Sequence, residues 1–254
     1  MDPNKYLQQG NVMEFLEYSD IGFRAFVFSN KQQEITSRKQ GILKSVYDHH
    51  GVIPRSVLFV GFNPAILDCS ADQIYIAEIS QITEDWLLAN GVKFETVQIE
   101  DLFNYDKQFD AVIALEEYFT FATSEAEQKS KFDMICNVTK RVMITTLRDY
   151  KNQDFKDREF SMPAVLRNDL ESRIYLEHHD YNDVDRNAWS RTVYEITGTS
   201  LVVSSCFNCR HMFFKQCAKF GYDAGAKDFL VHKNLLYKSI IKKNYEHVIS
   251  IKFG

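Results

Sequence analysis

The stretch Val57–Ser80, VLFVGFNPAILDCSADQIYIAEIS, constrains this chain more than any other. Val57–Val60 is apolar at consecutive positions, the pattern of a parallel strand covered on both faces. Gly61 opens a turn directly after it, and Ile74–Ala77 repeats the apolar run before Glu78. Such an order predicts an α/β fold with a doubly wound, mostly parallel sheet. The turn after the first strand of that sheet presents backbone N–H groups to a crevice where nucleotides bind. Glu78, 17 positions after Gly61, is placed at the tip of the second strand to accept hydrogen bonds from ribose hydroxyls. The link between them leaves room for about two helical turns at most.

The remaining elements alternate around this unit. Ile21–Asn30 (IGFRAFVFSN) reads as an N-terminal strand. Gln33–His50 reads as a helix with Ile35, Ile42, Leu43, Val46 and Tyr47 on one face, ended by Gly51 and Pro54. His49 and His50 at its end read as a favourable charge for the helix C-terminus. Ser80 is placed to cap a helix with Ile82, Trp86 and Leu87 inward. Lys93–Ile99 and Phe109–Leu115 read as the third and fourth strands. Ser124 and Glu127 form a capping box for the next helix, and Arg141–Thr146 reads as the fifth strand. The polar stretch 147–160 is expected to overhang the site as a lid. Arg173–Glu177, Thr192–Ile196 and Leu201–Ser205 read as three more strands, the last two joined as a hairpin at Gly198.

At 254 residues the chain can bury one large core, or a core plus an appendage. No apolar run is long enough to span a bilayer, and MDPNKYLQQG lacks the pattern of a leader, so no membrane contact and a cytoplasmic location are expected. Five unevenly spaced cysteines fit reduced thiols. From Phe207 to the end the chain carries nine Lys/Arg against three Asp/Glu, although the net charge of the whole is −5. A basic tail on an acidic body implies an anionic partner for the tail, or contact between tail and body. The expected division is a Rossmann-like domain over 1–206 and a basic appendage over 207–254.

In order and spacing, residues 35–205 resemble the class I S-adenosylmethionine-dependent methyltransferases. That family's first strand and turn read roughly V-L-D-V-G-x-G-x-G, and an acidic residue closes the second strand. Gly61 matches the first glycine, Asn63 and Ala65 stand where the second and third usually fall, and Phe59 replaces the acid. Asn tolerates positive φ and Ala carries the smallest side chain with a Cβ, so the turn is expected to survive. The resemblance implies S-adenosylmethionine as cofactor and S-adenosylhomocysteine as product. It implies that Gly61, Phe62, Asn63 and Ala65 face the methionine end, Glu78 and Ile79 the ribose, and Asp101 and Leu102 the adenine. It also implies that the sheet ends in an antiparallel hairpin, which the strands around Gly198 are expected to supply. Glu116, Glu117 and Tyr118 would close the fourth strand beside the transferred methyl group, as catalytic residues that position an unidentified acceptor or take its proton; one capping and one solvated acid is the alternative. Enzymes that methylate base amino groups usually carry Asn or Asp and then Pro-Pro-aromatic there, a pattern absent from Leu115–Tyr118. A methyltransferase-like module without turnover, serving binding or assembly, is the second reading; an enzyme using another nucleotide is the third.

Two further clusters stand outside this scheme. His178, His179, Asp180, Asp183 and Asp185 suit a divalent metal, a polar loop or a substrate loop, although adjacent histidines on a strand point to opposite faces. Cys206, Cys209, His211 and Cys217 have zinc-compatible chemistry, but no second pair completes a recognised spacing, and Cys217 also reads as a buried helix residue. No metal is assigned to either. In the tail, Lys233, Lys238, Lys242 and Lys243 interleave with Tyr237 and Tyr245, which suits nucleic acid. Alternatively Leu235, Leu236, Ile240 and Ile241 pack the segment on the body or on a second copy in a homodimer.

Overall fold

The computed structural model describes residues 9–148, 158–182, 185, 187–198, 200–241 and 245–254. Most of the expected lid, together with Asp183, Lys242 and Lys243, lies outside them. In chain order the first half contains α1 (Gln9–Phe28), α2 (Gln32–His50), β1 (Ser56–Val60), β2 (Gln73–Ala77), α3 (Gln81–Ala89), β3 (Glu95–Val97), β4 (Phe109–Ala114), α4 (Glu125–Asn137) and β5 (Thr139–Leu147). The second half contains β6 (Arg158–Phe160), β7 (Ala164–Arg167), β8 (Ser172–Tyr181), β9 (Ala188–Thr197), β10 (Ser200–Arg210), α5 (Phe214–Asp223), β11 (Asp228–Lys238) and β12 (Tyr245–Lys252).

Seven strands form the central sheet in the order β11-β12-β5-β4-β1-β2-β3. β1 to β5 run parallel, whereas β12 lies antiparallel between β5 and β11. Val57–Val60 and the whole of β4 are buried, as strands covered on both faces must be. The mostly parallel sheet and its terminal antiparallel hairpin are as expected, but β11 and β12 supply that hairpin. The strands around Gly198 belong instead to a second, antiparallel sheet in which β8 pairs β9, β9 pairs β10, and β6 and β7 both pair β8. The segment expected as an appendage therefore completes the first sheet. Its apolar residues decide this: Ile240, Ile241, Val248, Ile249 and Ile251 are buried, and so is Tyr237, one of the rings expected to stack on a base.

Helix boundaries follow local chemistry. Gly51 ends α2 at φ 62, its N–H donating to the carbonyls of Asp48 and Tyr47. Ser80 caps α3, accepting from Thr83 N at 3.3 Å, although Ile82 points outward and is 73% exposed. Ser124 caps α4, accepting from Glu127 N at 3.2 Å, while the Glu127 carboxylate turns to Thr123 N at 2.8 Å and to Lys131 at 3.4 Å. His50 hydrogen-bonds Ser250 and packs beside His49; burial lowers its pKa, which works against the expected charge.

The expected N-terminal strand is the second half of α1. Ile21, Phe23, Ala25 and Val27 alternate, yet the longer register Phe15, Tyr18, Ser19, Gly22, Phe26 has helical spacing, and over 20 residues the longer register prevails. This helix joins the two sheets. On one side Asp20 accepts from Thr83 Oγ1 at 3.1 Å; on the other Glu14 accepts from Asn208 N at 3.0 Å and Glu17 from Ser205 Oγ at 2.6 Å.

Candidate functional site

The carboxyl ends of β1, β2 and β4 are marked by their backbone. Gly61 has φ 78, Glu78 φ 53, Glu116 φ 58 and Glu117 φ 57. For a non-glycine residue the left-handed region costs about 1–2 kcal/mol, and such strain concentrates where a site must present particular atoms. Among the described residues the only non-glycine side chains held this way are these three glutamates. Gly61 N donates to Ala77 O at 2.8 Å, which fastens the first turn to the end of β2.

Helix α1 lies across these tips. The Ser19 hydroxyl accepts from Phe62 N at 2.7 Å, and the Phe15 ring sits against Gly61 so closely that a Cβ there would come within 2.7 Å of it. Phe62 turns away to pack on Phe23 and Phe26 of the same helix. Asn63 caps the short 3-10 turn Pro64–Asp68, accepting from Ala65 N at 2.9 Å. Neither Phe62 nor Asn63 covers Gly61; α1 does. A cavity of about 20 Å³ remains, bounded by Phe15, Tyr18 and Ser19 of α1, by Phe62 and Asn63, and by Glu116. Gly61→Ala is expected to cost about 2 kcal/mol, from the positive φ and the contact with Phe15. Urea denaturation measures it, and Phe15→Ala in the same chain should return part of the loss.

The three residues after β4 divide between different neighbourhoods. Glu116 Oε1 accepts from the Tyr237 hydroxyl at 2.5 Å and lies 3.8 Å from the buried Lys39 ammonium, whereas its Oε2 has no hydrogen-bond partner among the described residues. Asn63 Nδ2 donates to the same Tyr237 oxygen at 3.4 Å. Glu117 faces the second sheet, pairing with Arg191 at 2.9 Å and Arg148 at 3.6 Å. Tyr118 is buried against Phe15, and burial holds its hydroxyl well above the usual range. Neither the capping-acid nor the solvated-acid alternative describes this arrangement. The turn itself is held by Thr146, which accepts from Glu117 N at 3.1 Å and donates to buried Glu246 at 2.5 Å.

Glu78 is buried, its Oε2 has no hydrogen-bond partner among the described residues, and burial raises its carboxyl to about 8, opposed by Lys131 and reinforced by Glu100. Ile79 is half-buried beside it. Ala65 and Leu102 are buried, whereas Asp101 is exposed on a 3-10 turn. Thus Phe62, Asn63 and Glu116 meet at one cavity beside the Gly61 turn, Gly61 itself lying against Phe15, and Asp101 points to water.

Sequence reasoning missed a charged layer between the two sheets. Glu117, Arg148, Glu177, His179 and Arg191 are all buried. Arg148 lies 3.6 Å from Glu177, His179 Nε2 is 3.2 Å from Glu177, and Tyr18 donates to Glu177 at 2.8 Å. Burial lowers His179 to about 4, so it is neutral near pH 7. The available signal was alternation along β8, which places Tyr175, Glu177, His179 and Tyr181 on one face. His178 turns to the opposite face and stacks on Phe160. Among the described residues no three His, Cys, Asp or Glu side chains are arranged to hold a metal. Cys206 is exposed while Cys209 and Cys217 are buried, and His211 stacks on Trp189.

No family model matches the sequence, and no curated protein matches it significantly. Solved structures do. DesVI of Streptomyces venezuelae superposes with a TM-score of 0.65 at 12% identity, over 87% of this chain and 92% of its own. The sugar N-methyltransferase KedS8 from Streptoalloteichus gives 0.64 at 11%, over 92% of each chain. An S-adenosylmethionine-dependent methyltransferase from Clostridium acetobutylicum gives 0.62 at 12%, over 86% and 92%. The fold is that of the class I methyltransferases. On this methyltransferase fold the tips bearing Gly61, Glu78 and Glu116 form the end of the sheet where doubly wound proteins bind ligands. No helix among the described residues is long and apolar enough to cross a membrane.

Proposed function

We propose that this chain is an S-adenosylmethionine-dependent methyltransferase. One observation carries the reading: at the tip of β2 a buried carboxyl, Glu78, holds an oxygen with no partner among the described residues, one strand away from the left-handed turn at Gly61. A buried acceptor without a donor is costly, and ribose hydroxyls supply the missing donors. Glu78 would hold the ribose, with the turn Gly61–Asn63 and Ala65 at the methionine end; Ile79, Asp101 and Leu102 would border the nucleoside. The bound cofactor supplies a methyl group on a sulfonium, an electrophile that needs only an aligned nucleophile.

The protein's own work is then alignment, dehydration and removal of a proton. Glu116 lines the cavity and Tyr237 holds its Oε1, which leaves Oε2, unpaired among the described residues, to orient the acceptor or take its proton. Glu117 and Tyr118 shape the turn that carries it. Two solved neighbours are called a sugar N-methyltransferase and an amino pentose methyltransferase, so an amine is the first acceptor to test. Ligand pockets usually measure about 300–1,000 Å³; against the cavity of about 20 Å³, cofactor entry requires α1 to withdraw Phe15 and Ser19.

Calorimetric titration with S-adenosylhomocysteine tests the reading, with micromolar binding as the expected result. No heat at millimolar ligand would sink it, and the closed crevice would then favour a scaffold for binding without turnover.

A further inference from the structure

The connection between β11 and β12 borders two spaces. On its inner side Ser239, Ile240 and Ile241 wall the cavity beneath Glu116. On its outer side Ser239 and Ile240 wall an open cleft of about 220 Å³, whose other walls come from the start of α2 and from β7. The two spaces differ in sign. Glu116 is the one charged side chain among the described residues lining the inner cavity, whereas Lys31, Arg38 and Lys238 face a single Glu34 in the cleft. Lys31 and Glu34 are 3.5 Å apart with both side chains about two-thirds exposed, and such a pair is worth little in water. Among the described residues Arg38 and Lys238 have no carboxylate partner. A buried ammonium ties the wall to the interior: Lys39 donates to Lys238 O at 2.5 Å and lies 3.8 Å from Glu116.

We propose that this cleft takes the phosphoryl group of a small phosphorylated acceptor whose nucleophile reaches Glu116 past Ser239. The word acceptor rests on the methyl-transfer reading of the crevice; the phosphoryl group rests on the cleft alone. A guanidinium fork matches phosphate oxygens two at a time, and a neighbouring ammonium adds a point charge, so a dianion gains more here than a carboxylate does. Ser239 and Ile240 line both spaces and are themselves buried, so an anion held in the cleft lies across this one wall from the cavity that Glu116 lines.

Inorganic phosphate and acetate, titrated into the full chain without cofactor and followed by amide chemical shifts, test the assignment. Phosphate is expected to bind at least about tenfold tighter than acetate, with an affinity that falls as salt rises. Arg38→Gln and Lys238→Gln should each weaken phosphate by about tenfold, leaving Tm and the S-adenosylhomocysteine titration unchanged. Equal affinity for acetate, absence of phosphate binding, or binding that survives both substitutions overturns the proposal. Phosphate held through Arg38 and Lys238 in a chain that ignores S-adenosylhomocysteine would keep the anion site and remove the methyltransferase reading; the reverse result removes only the anion site.

Discussion

Glu78→Gln is expected to stabilise the free protein and to abolish most of its cofactor binding. The carboxyl is buried and its pKa is raised from 4.5 to about 8, chiefly by burial. A raised acid favours the folded state while protonated, so its contribution is complete below about pH 4.5 and is lost as pH climbs towards 8. Over pH 5 to 8 the free protein should lose on the order of 3 kcal/mol through this group. The amide cannot ionise, so Glu78→Gln should flatten that slope and raise Tm at pH 8. The same change removes an acceptor that two ribose hydroxyls would share, with an expected loss of at least about 100-fold in S-adenosylhomocysteine affinity. Wild-type affinity should rise with pH up to about 8, because donors from the ligand favour the ionised carboxyl. Thermal melts and calorimetry at several pH values read all three effects. A variant that gains stability and still binds ligand at wild-type strength would show that Glu78 is not the ribose anchor.

Breaking the ion pair between Glu117 and Arg191 should produce the largest loss of stability. Both side chains are fully buried, and Arg191 NH2 donates to Glu117 Oε2 at 2.9 Å. The guanidinium lies near the faces of Tyr18, Phe121 and Trp189, with centroids 4.8–5.1 Å away, while Nε and Nη1 find no hydrogen-bond partner among the described residues. Removing Arg191 leaves the buried carboxylates of Glu117 and Glu177 sharing Arg148 alone, one negative charge in excess, so Arg191→Met should cost about 3–5 kcal/mol. Adding Glu117→Gln should recover a large part of that, since no lone charge remains. Guanidinium denaturation of both singles and the double measures the coupling. Additive losses would mean that packing on the three rings, not the charge pair, is what Arg191 contributes.

The parallel half of the fold was legible because its signals are local. A strand buried on both faces must be apolar at every position, and β1 and β4 are; a helix must end where a residue such as Gly51 can take positive φ. Glu78 could be singled out for the same reason, since it stands where an apolar strand stops. The N-terminal element was misread, and the place of the tail left open, because the competing signals there are tertiary. Alternation in Ile21–Val27 is a short register lying inside a longer helical one, and only the surfaces offered by Phe62 and Trp86 select the helix. The tail's lysines left open an anionic partner or contact with the body, and β12 inserts beside β5 with His247 opposite Leu147, a pairing between residues far apart in sequence.

The sequence by itself determined which segments form the parallel strands and that an acid closes the second, since periodicity and turn chemistry act within a few residues. Tertiary structure alone decided which hairpin completes the sheet, that α1 covers Gly61, and that the two glutamates after β4 face opposite ways, one to Tyr237 and Lys39 and the other to Arg148 and Arg191. The physical reason is that burial and charge pairing depend on partners brought together across the whole chain, and a buried charge is tolerated only where the fold delivers its counterpart.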